Sequence, residues 1–268
     1  MDVMLRDEIY DQAVKWVLEA GRIIREKMHD PLDIEIKSNA NDLVTKLDKE
    51  TEQFFVRKIK EKYSDHFILG EEGYGDELSS LDGTIWIIDP IDGTMNFVHQ
   101  KRNFAISVGI YHDGVGEIGI IYDVMANIVY HAKKGDGAYK DDVRLPKLMK
   151  KTTINEAIIG MNHFWLCENS LVDERHMQHF VKQIRGTRTY GSAALEFAYT
   201  AEGIIDGYIS MRLSPWDVAA GIVLVNEVGG RTTDIDGNEL HLLKKSAILT
   251  SNSDYHQHIL ENLQKGRK

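Results

Sequence analysis

The amino-acid sequence predicts a layered fold of the mixed α/β (α+β) class. Three observations support this: stretches with apolar residues at helical spacing, short β-branched runs bounded by glycine or proline, and the interleaving of the two types along the chain. Interleaved helices and strands favour packed layers over a barrel. The 268 residues contain no linker-like or repetitive segment. We therefore predict one domain over residues 1–268, with packed halves of about 1–150 and 151–268 as the alternative.

The first half is predicted to begin with two helices. Apolar residues at steps of three and four predict a helix over residues 5–28 and a second over residues 47–59. The polar, turn-rich segment 37–45 between them is predicted to be a surface loop. A short strand at 67–69 then leads into Gly70-Glu71-Glu72-Gly73, which places acidic side chains directly after an apolar run.

The later elements are predicted from the same patterns. Apolar runs at 104–111, 115–122 and 128–132, separated by glycine-containing turns, predict an antiparallel meander. The second half alternates the two types. It is predicted to contain strands at 157–161, near 208 and at 247–250, and helices at 171–184, 192–202, 216–227 and the C-terminus.

The segment 86–97 is the most informative part of the chain. Its apolar start predicts a buried strand that stops at Pro90, because proline cannot donate a hydrogen bond to a sheet. The strand end delivers Asp89 to a cleft, and the turn after it points Asp92, a backbone carbonyl and the Thr94 hydroxyl to one side. Hard oxygen ligands gathered on one turn suit Mg²⁺.

An ordinary Asp-Gly turn is the simpler interpretation of this segment. The strand before it argues against that interpretation, because an unpaired carboxylate at the end of an apolar strand is costly unless a charge or a metal compensates it. Glu71 and Asp217 are further candidates. Together with Asp89 and Asp92 they are predicted to hold two divalent ions with Asp89 between them, the arrangement that an in-line phosphoryl displacement needs.

The residues around these acids have two interpretations each. Asp48, at the start of the second helix, either accepts the proton of Thr94 and so helps to orient a water, or caps its helix. Asp217 either binds a metal or favours the positive end of a helix dipole. The N–H groups of 191–193 either receive a phosphate or sugar hydroxyl, or open a helix. The residue patterns leave these alternatives open.

Composition argues against several classes of function. The chain has 32 basic and 42 acidic side chains and a formal net charge of −10, which disfavours nucleic acid or an anionic membrane as the main partner. The N-terminus does not resemble a signal peptide, and the longest apolar run, 218–225, is far short of the roughly twenty residues that span a bilayer. Cys167 is the only cysteine. We therefore expect an inert thiol and a cytoplasmic protein.

These motifs together resemble the inositol monophosphatase family of Mg²⁺-dependent, lithium-sensitive phosphatases. Segments 89–94 and 216–221 look like its two signatures, and 42–48 and 70–72 are similar to two further family segments in the same order. The match covers nearly the whole chain. The resemblance implies an αβαβα sandwich of the inositol monophosphatase/fructose-1,6-bisphosphatase type, phosphoric monoester hydrolase activity, and usually a homodimer.

The resemblance also implies roles for individual residues. A first Mg²⁺ would be held by Glu71, Asp89 and the Ile91 carbonyl. A second Mg²⁺ would be held by Asp89, Asp92 and Asp217, with a third, weaker ion near Glu71. The catalytic residues implied are Glu71, Thr94 and Asp48, and the implied substrate-binding residues are Gly93, Thr94, Gly191, Ser192, Ala193 and Asp217. We expect hydrolysis of inositol monophosphate or a related small phosphate ester by a metal-activated water, with inhibition by Li⁺.

One position departs from the family pattern. Ser210 stands where the animal enzymes carry the acid that binds inositol hydroxyls, and Arg212 adds a cation beside it. This departure weakens strict inositol selectivity. It favours a substrate with a second phosphate, such as fructose 1,6-bisphosphate, NADP or 3′-phosphoadenosine 5′-phosphate, unless Arg212 pairs with a neighbouring acid.

Two other classes of protein compete with this interpretation. A haloacid-dehalogenase-type phosphatase has a similar Asp-Gly-Thr motif, but its acids are spaced differently and its nucleophilic aspartate lies near the N-terminus. A regulatory binding protein that retains the fold is the second alternative. The complete set of carboxylates argues against binding alone.

Three further features are predicted to be structural. The segment 234–238 resembles the start of a calcium loop, but the glutamate expected at its far end is absent, so we predict a hairpin turn. His256 and His258 lie on different faces of a polar terminal helix and are predicted to be solvated. Residues 147–151 are predicted to form a surface loop.

Overall fold

The secondary structure follows the periodicity of the apolar residues. The computed structural model describes residues 1–30, 34–36, 43–149 and 153–268. Its N-terminal elements are α1 (Val3–Lys27), β1 (Ile34–Ile36), β2 (Leu43–Thr45), α2 (Lys46–Lys62), β3 (Phe67–Gly70), β4 (Thr84–Asp92), α3 (Thr94–Gln100), β5 (Ala105–His112), β6 (Val115–Asp123), β7 (Ile128–Lys133), β8 (Gly137–Lys140) and β9 (Val143–Arg144). The later elements are β10 (Ile158–Met161), α4 (Glu174–Val181), β11 (Gly186–Arg188), α5 (Ala193–Glu202), β12 (Gly207–Leu213), α6 (Pro215–Glu227), β13 (Gly230–Asp234), β14 (Ser246–Asn252) and α7 (Ser253–Lys265), with single 3₁₀ turns at Ile154–Glu156 and His163–Leu166.

Most of the described strands belong to two sheets. The larger sheet has the order β3-β4-β5-β6-β7-β8-β9, in which β3 and β4 are parallel and the other neighbours are antiparallel. The smaller sheet has the order β11-β10-β12-β14-β13, in which β10 is parallel to both of its neighbours. The meander predicted for the middle of the chain is therefore confirmed as β5, β6 and β7.

Alternating side chains along β4 set the order of the layers. Trp86 and Ile88 pack into one buried core with α1 and α2, whereas Ile85 and Ile87 pack into another with α5 and α6. The smaller sheet covers the outer side of α5 and α6, and its far face, including Ile209, packs against α4 and α7. The layers are thus helices, sheet, helices, sheet and helices, which confirms the predicted αβαβα arrangement.

The strand β4 does not stop at Pro90, as the sequence predicted. It continues to Asp92 because the ladder with β5 changes register: Asp89 pairs with Ser107 and Asp92 with Ala105. The extra residue on β4 forms a β-bulge, where the missing N–H of proline costs no ladder hydrogen bond. Residues three apart on a regular strand point to opposite faces. The bulge therefore allows the side chains of Asp89 and Asp92 to point to the same side of the sheet.

Other boundaries also differ from the prediction. Residues 43–45 form β2, which pairs with β1, rather than a loop; residues 37–42 of that predicted loop lie outside the described residues. Helix α4 is shorter than predicted and begins after Asp173, whose side chain accepts a hydrogen bond from the backbone N–H of His176. Helix α3 was not predicted at all.

The prediction that His256 and His258 are both solvated is wrong for His256. His258 is exposed, but His256 is 1% exposed and hydrogen-bonds Thr233 and Ser251. Burial lowers the pKa of His256 to about 4, so the ring is a neutral part of the core. The error arose because the partners come from β13 and β14, which no local pattern places beside α7.

The predicted turn at 234–238 is confirmed, and part of the predicted surface loop at 147–151 is described. Asp234 closes the turn at 234–238 by accepting hydrogen bonds from the N–H groups of Asp236 and Asn238. Lys147 is exposed, whereas residues 150 and 151 of the predicted surface loop are outside the described residues. Cys167 is a free, exposed thiol. Among the described residues, no helix combines the length and apolar character needed to cross a membrane.

Candidate active site

Three aspartates converge at one end of the larger sheet. The carboxylates of Asp89, Asp92 and Asp217 each offer an oxygen that lies within 4.8 Å of the others. The bulged end of β4 supplies the first two, and the first turn of α6 supplies the third. Asp89 is 2% exposed and Asp92 is 6% exposed. The structure therefore brings together acids that are more than 120 residues apart in the sequence.

Burial and mutual repulsion make this cluster electrostatically costly. Burial raises the pKa of Asp89 well above its usual range, and the neighbouring carboxylates of Glu71 and Asp92 add to the effect. Burial raises the pKa of Asp92 to about 6, and burial with the Asp92 charge raises the pKa of Asp217. Close, buried carboxylates with raised pKa values are compensated best by a cation. The oxygen-only donor set suits a hard divalent ion.

Glu71 joins the cluster from the loop after β3. Its carboxylate lies near that of Asp89, and its charge helps to raise the pKa of Asp89. The parallel pairing of β3 with β4 brings this about, because Gly70 lies opposite Ile88 in the ladder, so both strands end at the same edge of the sheet.

Each aspartate of the cluster is oriented by a backbone N–H group. Asp92 Oδ2 accepts from the N–H of Ala194 at 2.9 Å and from the Ser192 hydroxyl. Asp217 Oδ2 accepts from the N–H of Ser214 at 2.7 Å, so it is also an acid in a helix first turn, as the alternative interpretation proposed. Asp89 Oδ1 accepts from the N–H of Ile91 at 3.0 Å. These bonds fix the carboxylates before any ligand arrives.

Asp48 caps its helix and also lies beside Thr94. Its Oδ2 accepts from the N–H and hydroxyl of Thr45, which forms a capping box at the start of α2. Its Oδ1 lies 3.3 Å from the Thr94 hydroxyl, which also lies 3.2 Å from the Ile91 carbonyl. Burial raises the pKa of Asp48 to about 6. A carboxylate with that pKa is well matched to accept a proton near neutral pH.

The predicted substrate-binding segments meet beside this pair. Gly93 has φ +92°, and a Cβ there would lie 3.1 Å from the Gly191 carbonyl oxygen. Asn96 joins the two segments, since its amide donates to the carbonyls of Asn103 at 2.8 Å and Tyr190 at 2.7 Å. Asn96 is not predictable from the sequence, because an amide in a short helix carries no signal until its partners are known.

A cleft of about 720 Å³ opens beside the aspartates. Arg212 and Ser210 lie on its wall, and Arg212 forms no ion pair with the part of the chain that the structure describes. The other wall includes Phe164, which is 50% exposed. The predicted substrate residues on the cleft wall are Gly191, Ser192, Ala193, Arg212 and Asp217.

The layered fold, the buried acidic cluster and the adjoining hydroxyl–carboxylate pair define a hydrolase whose site is built for hard cations and an anionic substrate. The chain belongs to the inositol monophosphatase family, whose model matches residues 5–268. Members of this family are phosphoric monoester hydrolases and depend on Mg²⁺. The resemblance seen in the sequence motifs is thereby confirmed.

Named relatives support this assignment. The chain is 54% identical over 261 residues to the inositol-1-monophosphatase of Bacillus subtilis strain 168, covering 97% of this chain and 98% of the relative. It is 34% identical over 261 residues to inositol monophosphatase 1 of Sus scrofa, covering 96% and 94%. Among solved structures, inositol monophosphatase-II of Staphylococcus aureus MSSA476 matches with a TM-score of 0.87 at 42% identity, covering 96% of this chain and 95% of the other.

Proposed function

We propose that this protein hydrolyses inositol monophosphate, or a closely related small phosphate monoester, in a Mg²⁺-dependent reaction. The observation that carries the proposal is the convergence of Asp89, Asp92 and Asp217 within 4.8 Å, beside a Thr94 hydroxyl that lies 3.3 Å from Asp48. The aspartate cluster has no purely structural explanation, because buried carboxylates that repel one another reduce stability.

The family resemblance implies the ligands of two metal ions, and the grouping of Asp89, Asp92 and Asp217 supports the second set. Glu71, Asp89 and the Ile91 carbonyl would hold one Mg²⁺, and Asp89, Asp92 and Asp217 would hold a second. A third, weaker ion near Glu71 remains part of the proposal, as does inhibition by Li⁺. When bound, Mg²⁺ lowers the pKa of a coordinated water and stabilises the oxygens of the phosphate group.

The protein side chains then orient the reactants. Asp48 accepts a hydrogen bond from the Thr94 hydroxyl. The oxygen of that hydroxyl is then free to accept a hydrogen bond from the nucleophilic water. The backbone N–H groups of Gly93 and Thr94, with those of residues 191–193, receive the phosphate. Asp217 accepts a hydrogen bond from a hydroxyl of the substrate.

A second candidate substrate class is favoured by the cleft wall. Arg212 offers a cation without an acidic partner among the described residues, and Phe164 offers a half-exposed ring. These groups suit a leaving group with a second phosphate or a planar base. Solved structures of SaIMPase-II, a staphylococcal inositol monophosphatase about 40% identical to this chain, contain inositol monophosphate in one case and 2′-AMP in another. A Thermotoga maritima relative at 31% identity is named fructose-1,6-bisphosphatase/inositol-1-monophosphatase.

A substrate panel tests the proposal. Inositol 1-phosphate, fructose 1,6-bisphosphate, NADP and 3′-phosphoadenosine 5′-phosphate would each be assayed with Mg²⁺, with EDTA and with added Li⁺. Turnover of at least one ester that EDTA abolishes is expected. Hydrolysis that survives EDTA would refute the proposed chemistry. Asp89→Asn separates catalysis from a regulatory binding role, since only catalysis is expected to disappear.

Three further properties remain proposals. The single-domain organisation over residues 1–268 is supported by α5 and α6, which pack between the two sheets. A homodimer is supported by the family resemblance. A cytoplasmic location is supported by the single cysteine and the acidic composition.

A further inference from the structure

Helix α2 carries a second buried acid that the proposed mechanism does not use. Glu52 lies one helical turn after Asp48 and is 0% exposed. A carboxylate buried in a protein is costly unless hydrogen bonds or charges compensate it. Its position on the same helix face as Asp48 directs it toward the active site rather than toward solvent.

Two hydrogen-bond partners of Glu52 are in the loop that carries Glu71. Its two carboxylate oxygens accept from the backbone N–H of Glu72 at 2.6 Å and from the backbone N–H of Tyr74 at 2.8 Å. Hydrogen bonds from N–H groups to an ionised carboxylate are stronger than those between neutral groups. Both donors lie within three residues of Glu71. Glu52 therefore holds the backbone directly on the C-terminal side of Glu71.

The N-terminal side of Glu71 is constrained by the same carboxylate. A Cβ at Gly70 would lie 2.4 Å from Glu52 Cδ, so the carboxylate lies against the backbone there and a larger residue would displace it. The far end of the loop is attached separately, because Asp76 Oδ2 accepts from the N–H of Ile68 at 2.9 Å. Glu52 is thus the side chain that contacts the loop on both sides of Glu71.

We propose that Glu52 is a positioning residue that holds the 70–74 loop so that Glu71 faces Asp89. This proposal rests on the proposed function, in which Glu71 binds Mg²⁺. One face of α2 would then orient two separate parts of the site: Asp48 orients Thr94, and Glu52 orients Glu71. The role is indirect, since Glu52 itself touches neither metal nor substrate.

The test compares Glu52→Gln with Glu61→Gln, a matched change at an exposed position of the same helix. Glutamine keeps the size of the side chain but loses the charge and one acceptor. Amide hydrogen exchange at Glu72 and Tyr74 would be measured on metal-free protein, and Mg²⁺ binding by calorimetry. We expect faster exchange at both amides and an Mg²⁺ affinity about 10- to 100-fold weaker, the range typical of residues that orient metal ligands.

Kinetics separates positioning from general destabilisation. With Glu52→Gln, the Mg²⁺ concentration for half-maximal activity should rise, while kcat at saturating Mg²⁺ should recover; Glu61→Gln should match the wild type. If Glu52→Gln does not fold, Gly70→Ala displaces the same carboxylate and is expected to give the same two changes. Unchanged exchange at the two amides, or unchanged Mg²⁺ affinity, in a folded variant overturns the proposal. A wild-type protein that binds Mg²⁺ but hydrolyses no phosphate ester would overturn the proposed function and leave the role of Glu52 standing.

Discussion

The cluster of Asp89, Asp92 and Asp217 and the side chain of Glu196 are two acidic regions whose negative charge is compensated differently. In the cluster, burial and neighbouring carboxylates raise the pKa values of Asp89 and Asp217. Glu196, on α5, is 2% exposed. One of its oxygens accepts from the N–H of Tyr190 at 2.8 Å, and the other has no hydrogen-bond partner among the described residues. Burial raises the pKa of Glu196 to about 7.

The difference lies in what each region can bind. The cluster gathers several carboxylates at an open cleft, so a divalent cation can neutralise it. Glu196 lines the same cleft, but its second oxygen is buried against the backbone, since a Cβ at Gly160 would lie 2.3 Å from it. We therefore expect a proton rather than a cation at this oxygen. The stability of the first region should therefore depend on Mg²⁺, and that of the second on pH.

The largest expected effect comes from Asp217→Asn. Loss of a metal ligand should remove several kcal/mol of transition-state stabilisation, which is roughly a thousandfold or more in kcat/KM. In metal-free protein the same change should raise the thermal midpoint, because it removes a partly buried charge that repels Asp92. Steady-state kinetics and thermal unfolding in EDTA check the two parts.

Asp65→Asn, at an exposed position, is the control for that change and should alter neither quantity. Mg²⁺ should raise the thermal midpoint of the wild type more than that of Asp217→Asn, which keeps the ligands proposed for the first ion but loses one ligand of the second. A metal-free Asp217→Asn protein that melts below the wild type would contradict the view that the cluster is a repulsive site awaiting a cation.

The Thr94–Asp48 pair gives the next largest effect. Thr94→Val and Asp48→Asn should each lower kcat by about 10²- to 10⁴-fold, the range for loss of a positioned acid or base. The pKa of Asp48 is raised to about 6, so its proton-accepting form is lost as pH falls through that value. The rate of the wild type should therefore rise as pH increases through about 6.

A double-mutant cycle shows whether the two residues act as a unit. The combined variant should be little slower than either single variant, because each change breaks the same pair. Fully additive losses would show that Thr94 and Asp48 contribute separately.

Glu196→Gln should change stability rather than catalysis. The pKa of this carboxyl is about 7 in the folded protein against 4.5 for the unfolded chain. The folded state therefore binds more protons between these values, and wild-type stability falls as pH rises from about 4.5 to 7. The variant has no such group, so at pH 8 it should be more stable than the wild type by an amount of the order of 1–3 kcal/mol.

Urea unfolding in EDTA at pH 5 and pH 8 measures this effect as a difference between variant and wild type. Glu261→Gln, at an exposed position of α7, is the matched control and should show no pH-dependent gain. An equal stability difference at both pH values would mean that protonation of Glu196 does not contribute to the pH dependence of stability.

The sequence predicted those parts of the site in which chemistry and local pattern coincide. Asp89 and Asp92 stand out because they end an apolar strand, and Asp217 because it opens an apolar helix. The assignment of Pro90 as a strand end was wrong because a bulge depends on the register of the neighbouring strand, which no local pattern contains. The layer order was predictable through the family resemblance rather than from periodicity.

The residues that the sequence did not predict are polar groups whose partners lie far away in the chain. Glu52, Asn96 and Glu196 look like ordinary helix residues until β3, the 190–192 segment and β10 are packed beside them. The same reason explains the error at His256. For Glu52 a signal did exist, since it lies four residues after Asp48 and faces the same side of α2.

The smallest expected effect belongs to Arg212, a charge that is neither buried nor clustered. Solvent screens an exposed charge, so its contribution to binding is at most about 1 kcal/mol, or roughly fivefold in KM. Arg212→Ala should raise KM by that factor for esters with a second phosphate and leave inositol 1-phosphate nearly unaffected. The ratio of kcat/KM values for NADP and inositol 1-phosphate measures the effect, with Arg22→Ala on α1 as the exposed control. If KM rises equally for both esters, Arg212 acts through the overall charge of the cleft and does not select between substrates.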